Sequence, residues 1–492
     1  MSMIHSGFTR RRAFQAVAAP ALFQRGSPRA NPTSEENRRP GTVEWQLKHY
    51  RFDETAGPGL RQSRLEGYAS ETSVYTGAKI DFMVSADPAR TFHIDIYRTG
   101  YYGGKGGRHM TRLGPFPGDP QPVPMMGLER VRECRWKSSA QITIPRDWPS
   151  GVYLAKLSLV EDPIESYIIF IVKENRPADF LFQCSDLTWN SYNKWPGRDS
   201  LYDDGLPHPT NGHYYTGPNV RTSFDRPYTQ YGQVHEVALS LGSGEYLLWE
   251  FPLAFWIEQQ GYDVVYCSNL DVDLDPGVLD RCKVFLSVGH DEYWTRRMYD
   301  HVMAARERGV SLAFLSGNTM MGEIILYNSG VTDKPGRVMA RKGRLADEHL
   351  LMGVHSFGSG YGDWVVRKAD HWIFEGAGMR NGDYIPGLVG WEYHGIPAEL
   401  PGLEVVAASD LAPFSRHSPL DGKHAAVVFP CKKGNWVFNA GTIWWSEGLG
   451  NPPGHAPAAS RLGRTFGVDE RVQKITANFF NRCLRDSPLK TR

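Results

Sequence analysis

Val284-Phe285-Leu286-Ser287-Val288-Gly289-His290-Asp291-Glu292-Tyr293-Trp294 is the stretch that decides the fold. Its first five residues form a short, largely apolar run of strand length, and a helical pattern, Thr295 to Arg308, follows. Thr295 is a suitable N-cap and Gly309 a suitable stop. In α/β sheets, ligands and chemistry collect at strand ends. This end carries an imidazole, two carboxylates and a phenol within four residues, His290 to Tyr293. Ionisable groups are rarely buried without partners, so the cluster points to chemistry rather than packing.

Working outward, the same strand-then-helix rhythm recurs. Phe180-Leu181-Phe182-Gln183 predicts a strand ending at Cys184-Ser185-Asp186. Glu245 to Gln260 predicts a helix, with Pro252 marking a kink or late start and Gly261 a cap. Asp263-Val264-Val265-Tyr266 and Ser311-Leu312-Ala313-Phe314-Leu315 predict further strands, the latter ending at Ser316-Gly317-Asn318. Alternation of this kind implies a parallel, doubly wound α/β sheet over residues 176–492. In such a sheet the segments after Cys184, His290 and Gly317 share one edge, so their groups can converge. Residues 320–400 read as loops and small strands over the sheet. Ala425 to Phe429 and Trp436 to Asn439 read as strands, and Val472 to Cys483 as the last helix.

Upstream, residues 46–175 alternate with period two, as in Ile80-Asp81-Phe82-Met83-Val84 and Phe92-His93-Ile94-Asp95-Ile96-Tyr97. Turn signals such as Trp148-Pro149-Ser150-Gly151 separate them. Short strands with frequent turns predict an all-β domain, an immunoglobulin-like β-sandwich, ahead of the α/β domain. Residues 1–45 read as a basic tail and linker. Arg10-Arg11-Arg12 ahead of Ala13 to Phe23 leaves two readings open, a twin-arginine-like export signal or a disordered tail in a cytoplasmic protein.

Composition narrows the function classes. The 492-residue chain is 41% hydrophobic and 22% charged, as soluble globular proteins are, with a formal net charge of +1. That charge supplies no strong field for nucleic acid or anionic membrane. No run is long and apolar enough for a membrane span. The six cysteines form no CxxC pair, which excludes zinc-ribbon and thioredoxin readings; buried free thiols are expected. The Gly-rich Tyr101 to Gly107 lacks phosphate-loop spacing, and His208 with His213 lacks a zinc framework.

A carboxylate with phenolates makes a hard, anionic oxygen site suited to an iron-like ion. Glu292 supplies the carboxylate. Spacing does not select the phenols from 23 tyrosines; Tyr192 and Tyr228 are candidates, with Tyr202 and Tyr231 near the second. Glu447 reads as a solvated loop carboxylate.

Thr188-Trp189-Asn190-Ser191-Tyr192-Asn193, Phe224-Asp225-Arg226-Pro227-Tyr228, Gly289 to Trp294 and Leu315-Ser316-Gly317-Asn318 together resemble the catalytic region of the N,N-dimethylformamidase large (beta) subunit family, over roughly residues 177–480. The resemblance implies a glutamine-amidotransferase-like sheet and hydrolysis of a small amide at one iron (Fe3+) per chain. It implies Tyr192, Tyr228 and Glu292 as ligands, and His290, Asn318 and Glu392 (in Gly390-Trp391-Glu392-Tyr393) as active-site groups. A small accessory subunit or a homo-oligomer are the partners it suggests. The chain departs from that family in placing a β-domain before the α/β part.

Two rivals stand beside this reading. One is a Cys184-dependent amidotransferase, using His290; no Gly-x-Cys-x-Gly elbow supports it. The other is a carbohydrate- or surface-binding protein, since 14 Trp and 23 Tyr suit sugar stacking.

Overall fold

The computed structural model describes residues 31–53, 61–203, 220–229, 245–358, 360–413, 422–455 and 467–489. Arg10 to Arg12, His208, His213 and Tyr231 lie outside the described residues.

A seven-stranded mixed sheet is the frame. Its order is Val264–Ser268, Ala178–Cys184, Cys282–His290, Ser311–Gly317, Trp436–Asn439, Lys423–Pro430, Glu404–Asp410. The first five run parallel. The last two are antiparallel, so the sheet is mixed and not wholly parallel as the alternation predicted. The difference arises because the chain between the fourth and fifth parallel strands returns as short strands rather than as a crossover helix.

Both faces of the sheet are buried, and period two sorts the side chains. Val284, Leu286 and Val288 enter one apolar cluster, Phe285 the other. Helix Arg296–Arg308 covers the second face through Met298, Tyr299, Val302 and Ala305. Thr295 caps it by accepting from Met298 N, and Gly309 ends it in the left-handed region. Helix Glu470–Asp486 covers the first face with Val472, Ile475, Phe479, Phe480 and Cys483, a stripe at helical spacing. The predicted helix near Pro252 is split: a π turn, Tyr246–Glu250, precedes the α-helix Phe251–Gln259, with proline tolerated in its first turn.

Upstream, a three-stranded sheet (Leu65–Ala69, Lys79–Ala86, Ala140–Thr143) shares an apolar core with a five-stranded sheet (Ser73–Tyr75, Glu165–Lys173, Gly151–Leu159, Arg90–Thr99, Gly107–Gly118). The inner strands of the five-stranded sheet, Gly151–Leu159 and Glu165–Lys173, are buried on their other face too. Ile168, Phe170 and Val172 point into the upstream core, whereas Tyr167, Ile169 and Ile171 join Phe180, Phe182 and Trp256 of the α/β part. A buried ion pair crosses the same junction. Arg98 Nη2 donates to Glu258 Oε1 at 2.7 Å and Nη1 to Oε2 at 3.0 Å. Residues 31–492 accordingly form one compact unit. Residues 31–45, read as linker, are packed: Trp45 is fully buried and Glu36 accepts from the Tyr102 hydroxyl at 2.8 Å.

Candidate active site

The site lies where the carboxyl edge of the large sheet meets a second, four-stranded sheet. Strand Cys282–His290 ends, and Asp291 and Glu292 bridge to the short strand Tyr293–Thr295, which pairs with Gly322–Tyr327. Gly289 makes the bend possible. Its φ is +65°, and a Cβ there would sit 2.6 Å from Trp249 Cβ. His290 registers opposite Gly317 of the neighbouring strand, which brings Asn318 alongside. Asp291 is a structural knot, accepting from Gln183 Nε2 at 2.8 Å, Ser287 Oγ at 2.7 Å and Asn269 Nδ2 at 3.0 Å.

Helix Asp186–Tyr192, which follows strand Ala178–Cys184, delivers Tyr192. The Tyr192 hydroxyl donates to Glu292 Oε2 at 2.7 Å. Tyr202 Oη lies 2.7 Å from Tyr192 Oη and 3.0 and 3.1 Å from the two Glu292 oxygens. The Tyr293 hydroxyl bonds to that of Tyr202 and accepts from Arg341, whose guanidinium carbon stands 4.2 Å from the Tyr202 ring centre. Burial alone would raise the Glu292 pKa, but the hydrogen bond and charge of His290 and the charge of Arg341 outweigh it and hold the pKa low. Burial, with the Glu292 charge behind it, pushes both phenols far above their ordinary range. The Glu292 carboxylate thus accepts hydrogen bonds from two phenols.

His290 is enclosed between carboxylates, with Nδ1 3.4 Å from Glu245 Oε2 and Nε2 3.4 Å from Glu292 Oε2. Burial disfavours its cation, yet Glu245, Glu292 and Glu392 overcome that and raise its pKa well above normal. Glu392 is pushed the other way from Glu292. Burial and the nearby Glu292 and Glu245 charges raise its pKa well above the carboxylate range, against the opposing His290 charge and an Asn318 hydrogen bond. Asn318 is buried at φ +54°, a conformation asparagine tolerates. Trp249, Trp391, Ile443 and Trp444 pack together as an apolar wall, with the Trp391 ring 5.4 Å from that of His290. A cleft of about 280 Å3 bordered by Glu292, Met321, Gly322 and Arg341 reaches the carboxylate.

Five of the six expected residues, Tyr192, His290, Glu292, Asn318 and Glu392, are thus brought together. Tyr228 is not joined to them. The Pro227 carbonyl accepts from Asn193 at 2.9 Å, so its backbone passes close to Tyr192. Its ring, however, packs against the cluster holding Trp189 and Tyr246, whereas Tyr192 packs against the other. Burial raises its pKa, and the charges acting on it are Asp186, Arg337 and Arg226 rather than Glu292. Its hydroxyl has no hydrogen-bond partner among the described residues. Tyr202, one of the alternatives near it in sequence, occupies the place beside Glu292. Arg341, on strand Val338–Gly343, and Glu245, just ahead of the π turn, carried no local sequence signal, since each meets the site only through the tertiary fold. Cys184 is fully buried, and burial raises its thiol pKa far above normal, which removes the thiolate the amidotransferase rival needs. Glu447, expected in solvent, is 2% exposed and accepts from His455 Nε2 at 2.8 Å.

Three oxygens within 3.1 Å of one another, two phenolic and one carboxylic, are a donor set for a hard cation. The structure thus defines a mixed α/β protein with an oxygen-rich, proton-handling site at a sheet edge. The chain belongs to the family described as N,N-dimethylformamidase beta subunit-like, C-terminal, whose model matches residues 93–457. The match begins inside strand Arg90–Thr99, well ahead of the α/β part. Membership suggests an N,N-dimethylformamidase-like hydrolytic role. No curated protein matches the chain. Among the described residues no helix is long and apolar enough to cross a membrane.

Proposed function

We propose that this protein is a metal-dependent hydrolase of small amides, N,N-dimethylformamidase-like, that uses one iron ion per chain. The observation that carries the proposal is the convergence of Tyr192, Tyr202 and Glu292 oxygens near Glu392, a carboxyl whose proton affinity is pushed up where that of Glu292 is pushed down. Tyr192, Glu292 and a second phenol would hold the ion. Geometry favours Tyr202 for that role; the unpartnered hydroxyl of Tyr228 is what supports the alternative taken from the family resemblance. When bound, such an ion supplies Lewis acidity that polarises the amide carbonyl.

The chain's own residues do the rest. His290 faces Glu292 across 3.4 Å, and its charge favours the Glu292 carboxylate. Asn318 offers a buried amide to the oxyanion that develops on the carbonyl. Burial disfavours the Glu392 anion and so favours its protonated form, which makes it the group to deliver a proton to the leaving amine. Water is the nucleophile: its oxygen bonds to the carbonyl carbon as the C–N bond breaks, giving the carboxylic acid and the free amine, and the indole wall backs His290 on one side of the site. The same reading extends to the fold: an immunoglobulin-like sandwich over 46–175 and an amidotransferase-like domain over 176–492, supported by the stacked sheets and the five parallel strands. A small accessory subunit is the partner the family's name supports.

Metal quantification and absorption spectroscopy of the purified chain test this. Expected are about one iron per chain and a visible phenolate charge-transfer band, both lost in Glu292→Gln. A protein without iron, indifferent to added iron and to chelators, and inactive on formamides would instead support the carbohydrate- or surface-binding reading.

A further inference from the structure

A second group of metal-ligating side chains lies away from this site. Glu348 opens the short helix Glu348–Met352, and His349 follows it directly. The chain reverses at Gly353, and strand Val354–Gly358 brings His355 back over the helix. The two imidazoles stack, ring centres 4.1 Å apart. One ligand atom from each of the three residues lies within 4.8 Å of the others.

The carboxylate is the informative member. Its side chain is only 1% exposed. Oε1 is engaged: His355 Nδ1 stands 3.3 Å away, the Ser356 amide donates at 3.3 Å, and Arg344 Nη2 is at 3.8 Å. Oε2 has no hydrogen-bond partner, and neither has the buried His349 Nδ1 that faces it at 3.9 Å. Buried polar atoms left unsatisfied are costly, so a pair of them facing each other points to a missing partner. One cation between them would satisfy both. Metal–ligand bonds of about 2.0–2.2 Å in a tetrahedron separate donor atoms by about 3.3–3.6 Å, so the spacings here need to close by less than about 1.5 Å.

We infer that Glu348, His349 and His355 form a second metal site, for a divalent transition ion of the zinc class. Two imidazoles and one carboxylate suit zinc and its neighbours and not calcium or magnesium, which take oxygen ligands. Both histidines are partly exposed, at 25% and 32%, so water fills the fourth position and the ion enters from solvent. All three ligands fall within eight residues, so little chain entropy is lost on closure. Strand Val354–Gly358 pairs with Glu392–Pro397, with Gly358 opposite Glu392. The ion therefore clamps the far end of the ribbon that presents the active-site carboxylate.

Calorimetric titration of the chelator-treated full chain with Zn2+ alone tests this, beside Co2+ absorption. Glu292→Gln, which removes the active-site carboxylate, is expected to retain one tight Zn2+ equivalent and a tetrahedral Co2+ spectrum. Adding His355→Ala to that background should weaken this equivalent by more than about 100-fold, beyond the cost of losing an outer-sphere partner. His355→Gln serves as a second variant at this partly exposed position, and circular dichroism checks that each remains folded. Absence of a Zn2+ equivalent in Glu292→Gln, or one that survives both His355 substitutions unchanged, overturns the inference.

Discussion

Removing the Glu258 carboxylate should loosen the junction between the five-stranded sheet and the α/β part. Arg98 and Glu258 side chains are 1% and 0% exposed. The guanidinium also donates to the Ser150 carbonyl at 2.8 and 3.1 Å, to the Thr99 carbonyl at 3.1 Å and to the Tyr102 hydroxyl at 2.9 Å. Glu258 further accepts from the Tyr266 hydroxyl at 2.9 Å and from Asn37 at 2.7 Å. Glu258→Ala strands the buried guanidinium without its counter-charge, which costs about 3–5 kcal/mol. Arg98→Met with Glu258→Leu removes both charges and refills the volume, so it should recover most of that loss. Urea unfolding followed by fluorescence and circular dichroism measures both, with coincident transitions needed before a free energy is assigned. A single-variant loss below about 1 kcal/mol, the range of an exposed pair, would refute the reasoning. So would a double variant as unstable as the single.

Four further outcomes follow from the site and its surroundings. Tyr202→Phe is expected to abolish metal loading while Tyr228→Phe leaves it intact, read as iron per chain; the reverse result assigns the second phenol to Tyr228. Asn318→Ala should lower kcat by about 100- to 1000-fold with iron content unchanged, the cost of one oxyanion donor. Gly317→Ala would place a Cβ 2.4 Å from the Glu392 carbonyl oxygen and 2.5 Å from the Ile443 nitrogen, so activity should collapse along with about 1–3 kcal/mol of stability. Burial lowers the pKa of His394 and of His424 to about 4. Neutral His394 fits its surroundings, since Nε2 accepts from the Thr319 amide at 2.9 Å. The unfolded chain takes up these protons first, so stability is complete above about pH 6.5 and falls as pH drops toward about 4. The loss is on the order of 3 kcal/mol per histidine, measured by denaturation at several pH values.

Local chemistry made much of this legible in sequence. Helix Arg296–Arg308 announced itself because Thr295 and Gly309 are cap residues and its apolar positions keep helical spacing. The edge carrying His290, Glu292 and Asn318 followed from strand–helix alternation alone, because parallel strands align their carboxyl ends. What stayed hidden depends on distant parts of the chain. Choosing Tyr202 over Tyr228 requires knowing which apolar cluster each ring enters. Arg341 reaches the phenols from an antiparallel strand some 50 residues on from Glu292, and nothing in its own sequence marks it as buried. Glu447 read as solvated because its partner, His455, lies across a turn among tryptophans.

The inner strands of the five-stranded sheet have no outward face to lose. Stripping away the first 175 residues would uncover Phe251 and Phe255, which meet the Trp45 and Tyr101 rings, while the excised third would carry Val152, Leu154 and Ile169 into water. Each piece would present apolar side chains that the intact chain covers. The leading third and the α/β part share one apolar cluster, so neither is a detachable cassette.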